Sequence, residues 1–528
     1  MRRGFAVCIG FLLMLTPSLQ GRQVDPVVVA GSENQLKYLA DREGNRVPDF
    51  SHAGYRGGGV ALPDVAVAVS VSPAEGDDGS RIQAALDYVA ALPVDESGHR
   101  GAVFLQPGRY EVAGSLQIKA SGVVLRGAGP GPKGSTIVAT GTGRRTLIRI
   151  QGRPVQPLPE PVREVTDVHV PVGSYRLSLS DADGFSVGDR IRIDRPATGD
   201  WIRAVGMEEA PARTYYKWRP GQWDMSWQRV IRRIDGQTLL LDAPLTTALE
   251  TRFGGATVRK LDGTGLIRET GIEQLRLVSA FASENPLDEE HAWIAIQMNH
   301  VEDGWVAGVT GKHFVSSLVD LRKGARRITV MDAHSREPVS EMAGYRRHSF
   351  HTAGELTLFL RCTARGGRHD FTAGDLTTGP NAFVRCTSHQ PAAFSGSIGS
   401  WASGLLFDNV FIDGGALRLT NLEIWNQGVG WNAANSMVWQ SRASVLEIRQ
   451  PPTATNWTTG VWGQFIGDGL WIQTSEFAYP DSLYAAQLLE RLGEDALTAL
   501  EPAVRNMPGP VDSLDELLAS GAARITVE

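Results

Sequence analysis

The sequence predicts an all-β fold of stacked coils, and three observations carry that prediction. Phe359-Leu360-Arg361-Cys362-Thr363 returns 24 residues later as Phe383-Val384-Arg385-Cys386-Thr387, and Phe407 lies one further step of 24 along the chain. The segments around these positions are short runs with apolar alternation, and a repeat in the twenties of that texture is the mark of a solenoid. The 59 glycines fit the many tight turns such a fold needs.

Composition narrows the function. The net charge is −6 and the pI near 6.0, so the chain lacks the basic footprint of a nucleic-acid binder. After the N-terminus no apolar run is long enough to span a membrane. The N-terminus itself reads as an export signal over residues 1–21. Arg2-Arg3 precedes an apolar run from Gly4 to Leu15, and small and polar residues follow from Pro17 to Gly21. Cys8 falls inside that run. The expected location is therefore secreted, periplasmic or cell-surface, and the expected state is a monomer. Of the remaining cysteines, Cys362 and Cys386 occupy the same position of adjacent coils. A disulfide is geometrically open to them, and a ladder of buried thiols is the favoured reading.

Taken in order, residues 22–74 read as an extended leader, with Pro48 and Pro63 excluding helix on either side of the Gly54–Gly59 loop. Residues 75–159 open with a helix, because Ile82, Ala85, Leu86 and Val89 share one face and Asp77-Asp78-Gly79-Ser80 supplies an N-terminus. Strands follow at Ala102–Leu105, Leu116–Ile118 and Val123–Gly127. Residues 160–262 break the pattern: strong alternation at Tyr175–Leu179, Val187–Ile193 and Val230–Ile234, with an Asp235-Gly236 turn, predicts an antiparallel insertion. Its loop 200–228 carries Trp201, Tyr215, Tyr216, Trp218, Trp223 and Trp227. Two readings stand for these rings: a sugar-stacking platform, or the insertion's own core. Main coils are expected over 263–470. Residues 471–528 read as a helical cap or as an arm docked on the flank. Asn456-Trp457-Thr458 matches a glycosylation sequon.

The helix Ile82-Gln83-Ala84-Ala85-Leu86-Asp87, followed by Val103-Phe104-Leu105-Gln106-Pro107-Gly108-Arg109-Tyr110 and the strand Val123–Gly127, resembles the start of the pectate lyase superfamily. The resemblance implies a right-handed parallel β-helix whose first coil is plugged by the helix. It also implies an extracellular polysaccharide as partner, and calcium as a possible cofactor. Gly367-Arg368-His369-Asp370-Phe371 and Ser400-Trp401-Ala402-Ser403-Gly404 resemble steps that recur on neighbouring coils of secreted bacterial β-helix proteins related to that superfamily.

Polar residues concentrate between 334 and 375, where four of the chain's 11 histidines fall. β-Elimination on a uronate polymer needs a cation for the carboxylate, a base for the C5 proton and an acid for the leaving oxygen. Arg346, Arg347 or Arg368 suits the first role and His369 or His348 the second. Tyr345 or His351 suits the third. His369 with Asp370 is the sharpest pair. If Val330 stacks under Phe359, Glu341 falls one level below Asp370 and makes a carboxylate pair with it. Calcium, where used, would be held by Glu341, Asp370 and Asp375. Trp218, Trp223, Trp227, Trp401 and His351 are the candidate substrate contacts. Glycoside hydrolysis by two carboxyl groups, Asp370 with Asp408, Asp375 or Glu341, is the second chemistry. A solenoid that only binds carbohydrate is the third reading.

Overall fold

The computed structural model describes residues 27–31, 35–208, 217–503, 505 and 511–520. The segment 1–21, expected to be an export signal, and Tyr215 and Tyr216 lie outside the described residues.

The chain is a parallel β-helix. Phe359 pairs with Phe383, and Phe383 with Phe407, in parallel register. Their rings stack inside the solenoid at centroid distances of 4.9 and 5.1 Å. Phe350 stacks on Phe371 at 5.6 Å on a second sheet. Continuous stacks of this kind bury apolar area on every coil, which is what holds a solenoid without a conventional core. The corner that follows Val330, Phe359, Phe383 and Phe407 on successive coils is a residue at positive φ: Asp332, Arg361, Arg385 and Asn409. Cys362 and Cys386 are free and fully buried, each with its thiol directed at backbone carbonyls, as in a ladder of thiols.

The helix Gly79–Ala91 lays Ile82, Ala85, Leu86 and Val89 on the first coils. It covers an end that would otherwise expose apolar core and an unpaired strand. The insertion is an antiparallel sheet running from Gln156–Glu164 to Thr257–Asp262, with Arg190–Arg195 paired to Met225–Asp235. It is fastened to the solenoid flank by Arg229, which reaches Glu355 and the Gly379 carbonyl, and by Thr246 against Ser403.

Past the last coil the chain turns back along the flank. Helix Leu483–Leu492 packs on the leader, with Tyr484 Oη donating to the Ala53 carbonyl. Helix Leu514–Ala519 reaches the solenoid's first strand, Val67–Val71, and the N-terminal helix, where Arg81 pairs with Asp515. Asn456 is wholly buried, with its amide donating to the Ala433 and Arg449 carbonyls, so the sequon offers no acceptor nitrogen in the folded protein.

Candidate active site

One outward file of polar side chains crosses successive coils of the second sheet. Parallel register aligns Arg149, Gln297, Asp320, His351 and Thr372 in that order. Neighbouring members are one strand spacing apart, about 4.8 Å. Over the middle of this file lies a cleft of about 540 Å³. Its floor is Asp320 and His351. Tyr345 and His348 descend from the loop after the strand Arg326–Arg336, Asp375 and Gly399 close one side, and Trp293 walls the other.

Each polar group on the floor has a defined partner. Asp320 Oδ2 accepts from Gln297 Nε2 at 3.0 Å and pairs with Arg322 Nε at 2.7 Å. Asp320 Oδ1 is buried without a hydrogen bond. His351 Nδ1 lies 2.9 Å from Thr372 Oγ1, and that hydroxyl donates to the Phe350 carbonyl. A hydroxyl that has given its one proton to a carbonyl accepts the other bond. In the tautomer where that hydroxyl serves the carbonyl, Nδ1 of His351 carries the hydrogen and Nε2 keeps its lone pair. Burial lowers the pKa of His351 and the charge of Arg322 adds to that, while Asp320 and Asp375 pull it the other way. The ring is thus neutral near pH 7 and flanked by two carboxylates that favour an imidazolium once a proton arrives. Tyr345 is 68% exposed at the cleft mouth, and its ring, that of His348 and that of His351 follow one another at 6.2 and 6.4 Å.

The arginines beside Tyr345 brace the loop rather than face the cleft. Arg346 makes a two-pronged pair with Glu289 and lies over the Trp293 ring. Arg347 holds Ser340 through its hydroxyl and carbonyl. Arg368 donates to the Gly344 carbonyl at 2.9 Å. Arg322, by contrast, lines the cleft, and its side chain is half exposed beyond the bond to Asp320.

Several expectations are corrected. The pair His369 and Asp370 is sealed in the solenoid wall. His369 is wedged between Phe394, Trp425 and His348, with Nδ1 bonded to the Phe394 carbonyl, and burial lowers its pKa to about 4. Asp370 has no exposure and accepts from the Ser349 and Ser388 hydroxyls, both at 2.6 Å. Val330 does lie under Phe359. The spacing is 29 on that sheet and 21 between Ser349 and Asp370, because the loop carrying Tyr345 falls inside the first interval and before the second. Ser349, not Glu341, therefore lies beneath Asp370, and Glu341 is exposed on the loop. Glu341, Asp370 and Asp375 do not converge. Among the described residues no group of three or more His, Cys, Asp or Glu is arranged to hold a metal ion.

The tryptophan platform is also corrected. Trp218, Trp227 and Trp401 are buried, and Trp223 packs half-buried against them. Trp201 meets Trp401 edge-on at 4.8 Å, and Trp218 meets Trp223 at 5.2 Å. These rings are the core of the insertion and its seam with the solenoid. Asp320, Arg322 and Trp293 were missed because they precede the polar-rich window. The available signal was register: Asp320 is the acidic residue that falls on the outward position under His351.

No family model matches the chain, and no curated protein matches it. The solved structures it is similar to include the tailspike gp61 of Pseudomonas phage phi297, at 13% identity and a TM-score of 0.41 over 70% of this chain and 55% of that one. Another is the tailspike gp49 of Pseudomonas phage LKA1, at 15% identity and a TM-score of 0.32 over 74% and 70%. A third is the A-module of the mannuronan C-5 epimerase AlgE4 of Azotobacter vinelandii, at 11% identity and a TM-score of 0.27 over 79% and 96%. The chain thus spans little more than half the length of the first of these.

Proposed function

We propose that this protein is an exported enzyme acting on an extracellular polysaccharide, and that it cleaves a uronate-containing chain by β-elimination, in keeping with the resemblance to the pectate lyase superfamily. The observation that supports this most is His351: a neutral imidazole with a free Nε2, on the floor of an open cleft, beside a carboxylate and an arginine.

In this reading His351 Nε2 takes the C5 proton of the uronate. The electrons of the C5–H bond form the C4=C5 double bond, and the C4–O bond breaks. Tyr345 gives its hydroxyl proton to the departing oxygen. The free nitrogens of Arg322 pair with the substrate carboxylate, which lowers the cost of charge at C5. Asp320 stabilises the imidazolium that His351 becomes. The exposed ring of Tyr345 offers a face to the apolar side of a sugar.

A second reading, glycoside hydrolysis, is supported by Asp320 and Asp375 flanking the same cleft and by the unpartnered Oδ1 of Asp320. Incubation with polygalacturonate and with alginate separates the alternatives. Ultraviolet absorbance from a new C4=C5 bond is the expected result. New reducing ends without that absorbance would favour the hydrolase, and binding without either product would leave a solenoid that only holds carbohydrate.

A further inference from the structure

A second cavity, of about 610 Å³, lies on another face of the solenoid near its last coils. Outward positions on four successive coils line it: Thr387 pairs with Phe411, Phe411 with Arg442, and Arg442 with Trp462. Arg385 and Gln440 approach it from the corner turns. Phe477, 82% exposed, stands beside Trp462 at a ring distance of 5.4 Å. The start of the returning arm is tied down here, with Asn409 Nδ2 bonded to the Asp481 carbonyl and Gln440 Nε2 to the Ala478 carbonyl. The aromatic wall is therefore held in place.

The charges distinguish this cavity from an ordinary apolar patch. Arg361, one coil before Arg385 at the same corner, is spent on a two-pronged pair with Asp332. Among the described residues Arg385 and Arg442 have no ion pair and no side-chain hydrogen bond; Arg385 acts on the buried Asp408 through its charge alone, which leaves its N–H groups open. Arg442 lies over the Phe411 ring at 4.3 Å, an arrangement that orients the guanidinium and leaves its N–H edge free. Nearby carboxylates are engaged: Asp408 is buried and bonded to Ser482 and the Tyr484 amide, and Asp413 faces His389. Two free guanidiniums beside exposed aromatic rings match a sugar chain that carries carboxylates. The rings meet the C–H faces of the pyranoses, and the forks pair with the acid groups.

We infer that this cavity is a second binding site, for a carboxylated oligosaccharide, built from Arg385, Arg442, Trp462 and Phe477 and separate from the cleft at His351. It stands whether or not that cleft is catalytic. A site of this kind would hold a long polymer on the solenoid while another stretch of it occupies the cleft, and each engagement would raise the local concentration for the other.

The test is a titration with hexagalacturonate, followed by tryptophan fluorescence and repeated with cellohexaose as the uncharged control. A saturable quench is expected that Trp462→Phe removes and that Arg385→Gln/Arg442→Gln weakens by about tenfold or more. Arg322→Gln/Tyr345→Ala, which strips the cleft of its carboxylate partner and its exposed ring, should retain the quench, which separates this site from the cleft. All the altered arginines are exposed, and matching unfolding midpoints confirm that the variants fold. An undiminished quench in Arg385→Gln/Arg442→Gln would overturn the proposal, as would an equal response to cellohexaose.

Discussion

Ser349 occupies the rung beneath Asp370, and its hydroxyl donates to Asp370 Oδ1 at 2.6 Å while Ser388 donates to Oδ2 from the other side. The carboxyl group thus bridges coils inside the wall. Asp370→Ala should cost roughly 3 kcal/mol by orphaning both hydroxyls. It should leave kcat per folded molecule unchanged. Denaturant unfolding and steady-state kinetics on the same samples check this. A large loss of kcat without loss of stability would restore Asp370 to a chemical role.

Two buried groups should oppose each other in the pH dependence of stability. Burial raises the Asp408 pKa from 3.8 to about 6, despite donors from Ser482, Asn409 and the Tyr484 amide. The fold therefore favours protonated Asp408, and that contribution is full below pH 3.8 and lost as the pH rises through about 6. His369 behaves oppositely, because its pKa falls from 6.5 to about 4. Its contribution is full above pH 6.5 and lost as the pH falls through about 4. Asp408→Asn should therefore gain stability relative to the wild type as the pH rises from 4 to 6, by on the order of 3 kcal/mol. His369→Phe should flatten the loss between pH 6.5 and 4. Chemical denaturation at several pH values reads both.

Trp401 is the pivot of the insertion's attachment, fully buried against Trp201 and Trp218. Trp401→Ala should destabilise the protein by about 3–5 kcal/mol. In variants that still fold, the affinity for sugar chains should be unaltered. Thermal unfolding and a binding titration separate these effects, and a specific loss of affinity would revive the platform reading.

Phe383 is the middle member of the three-ring stack with Phe359 and Phe407. Phe383→Ala should open a cavity on three coils and cost about 3–5 kcal/mol. Because each coil rests on its neighbours, the local opening should show in hydrogen exchange on the adjoining strands before global unfolding. Faster exchange confined to the N-terminal coils would contradict it.

The repeat made the fold legible, because stacked Phe residues at constant spacing are both the sequence signal and the physical core. The capping helix was legible from the face shared by Ile82, Ala85, Leu86 and Val89. The site was only partly legible. Polar density pointed to the loop that carries Tyr345 and His348, and His351 was among the residues named, as an acid or a substrate contact. Density cannot tell outward from inward, and a strand alternates faces at every residue. His369 and Asp370 lie in the wall, and the one that matters for register is Ser349. The difference between 29 and 21 residues depends on where the loop falls, inside Val330–Phe359 and before Ser349–Asp370, and no local pattern reports that. The aromatic loop misled for a related reason: rings that stack sugars and rings that fill a small domain are the same residues until burial is known.

Whether His351 is the base is decided by the rate of unsaturated product from a uronate polymer in three variants: His351→Ala, Tyr345→Phe and Asp370→Asn. The first two should lose about a hundredfold or more in kcat while binding the polymer and unfolding normally, and Asp370→Asn should keep wild-type kcat. Wild-type turnover in His351→Ala, with Asp370→Asn inactive yet folded, would contradict it.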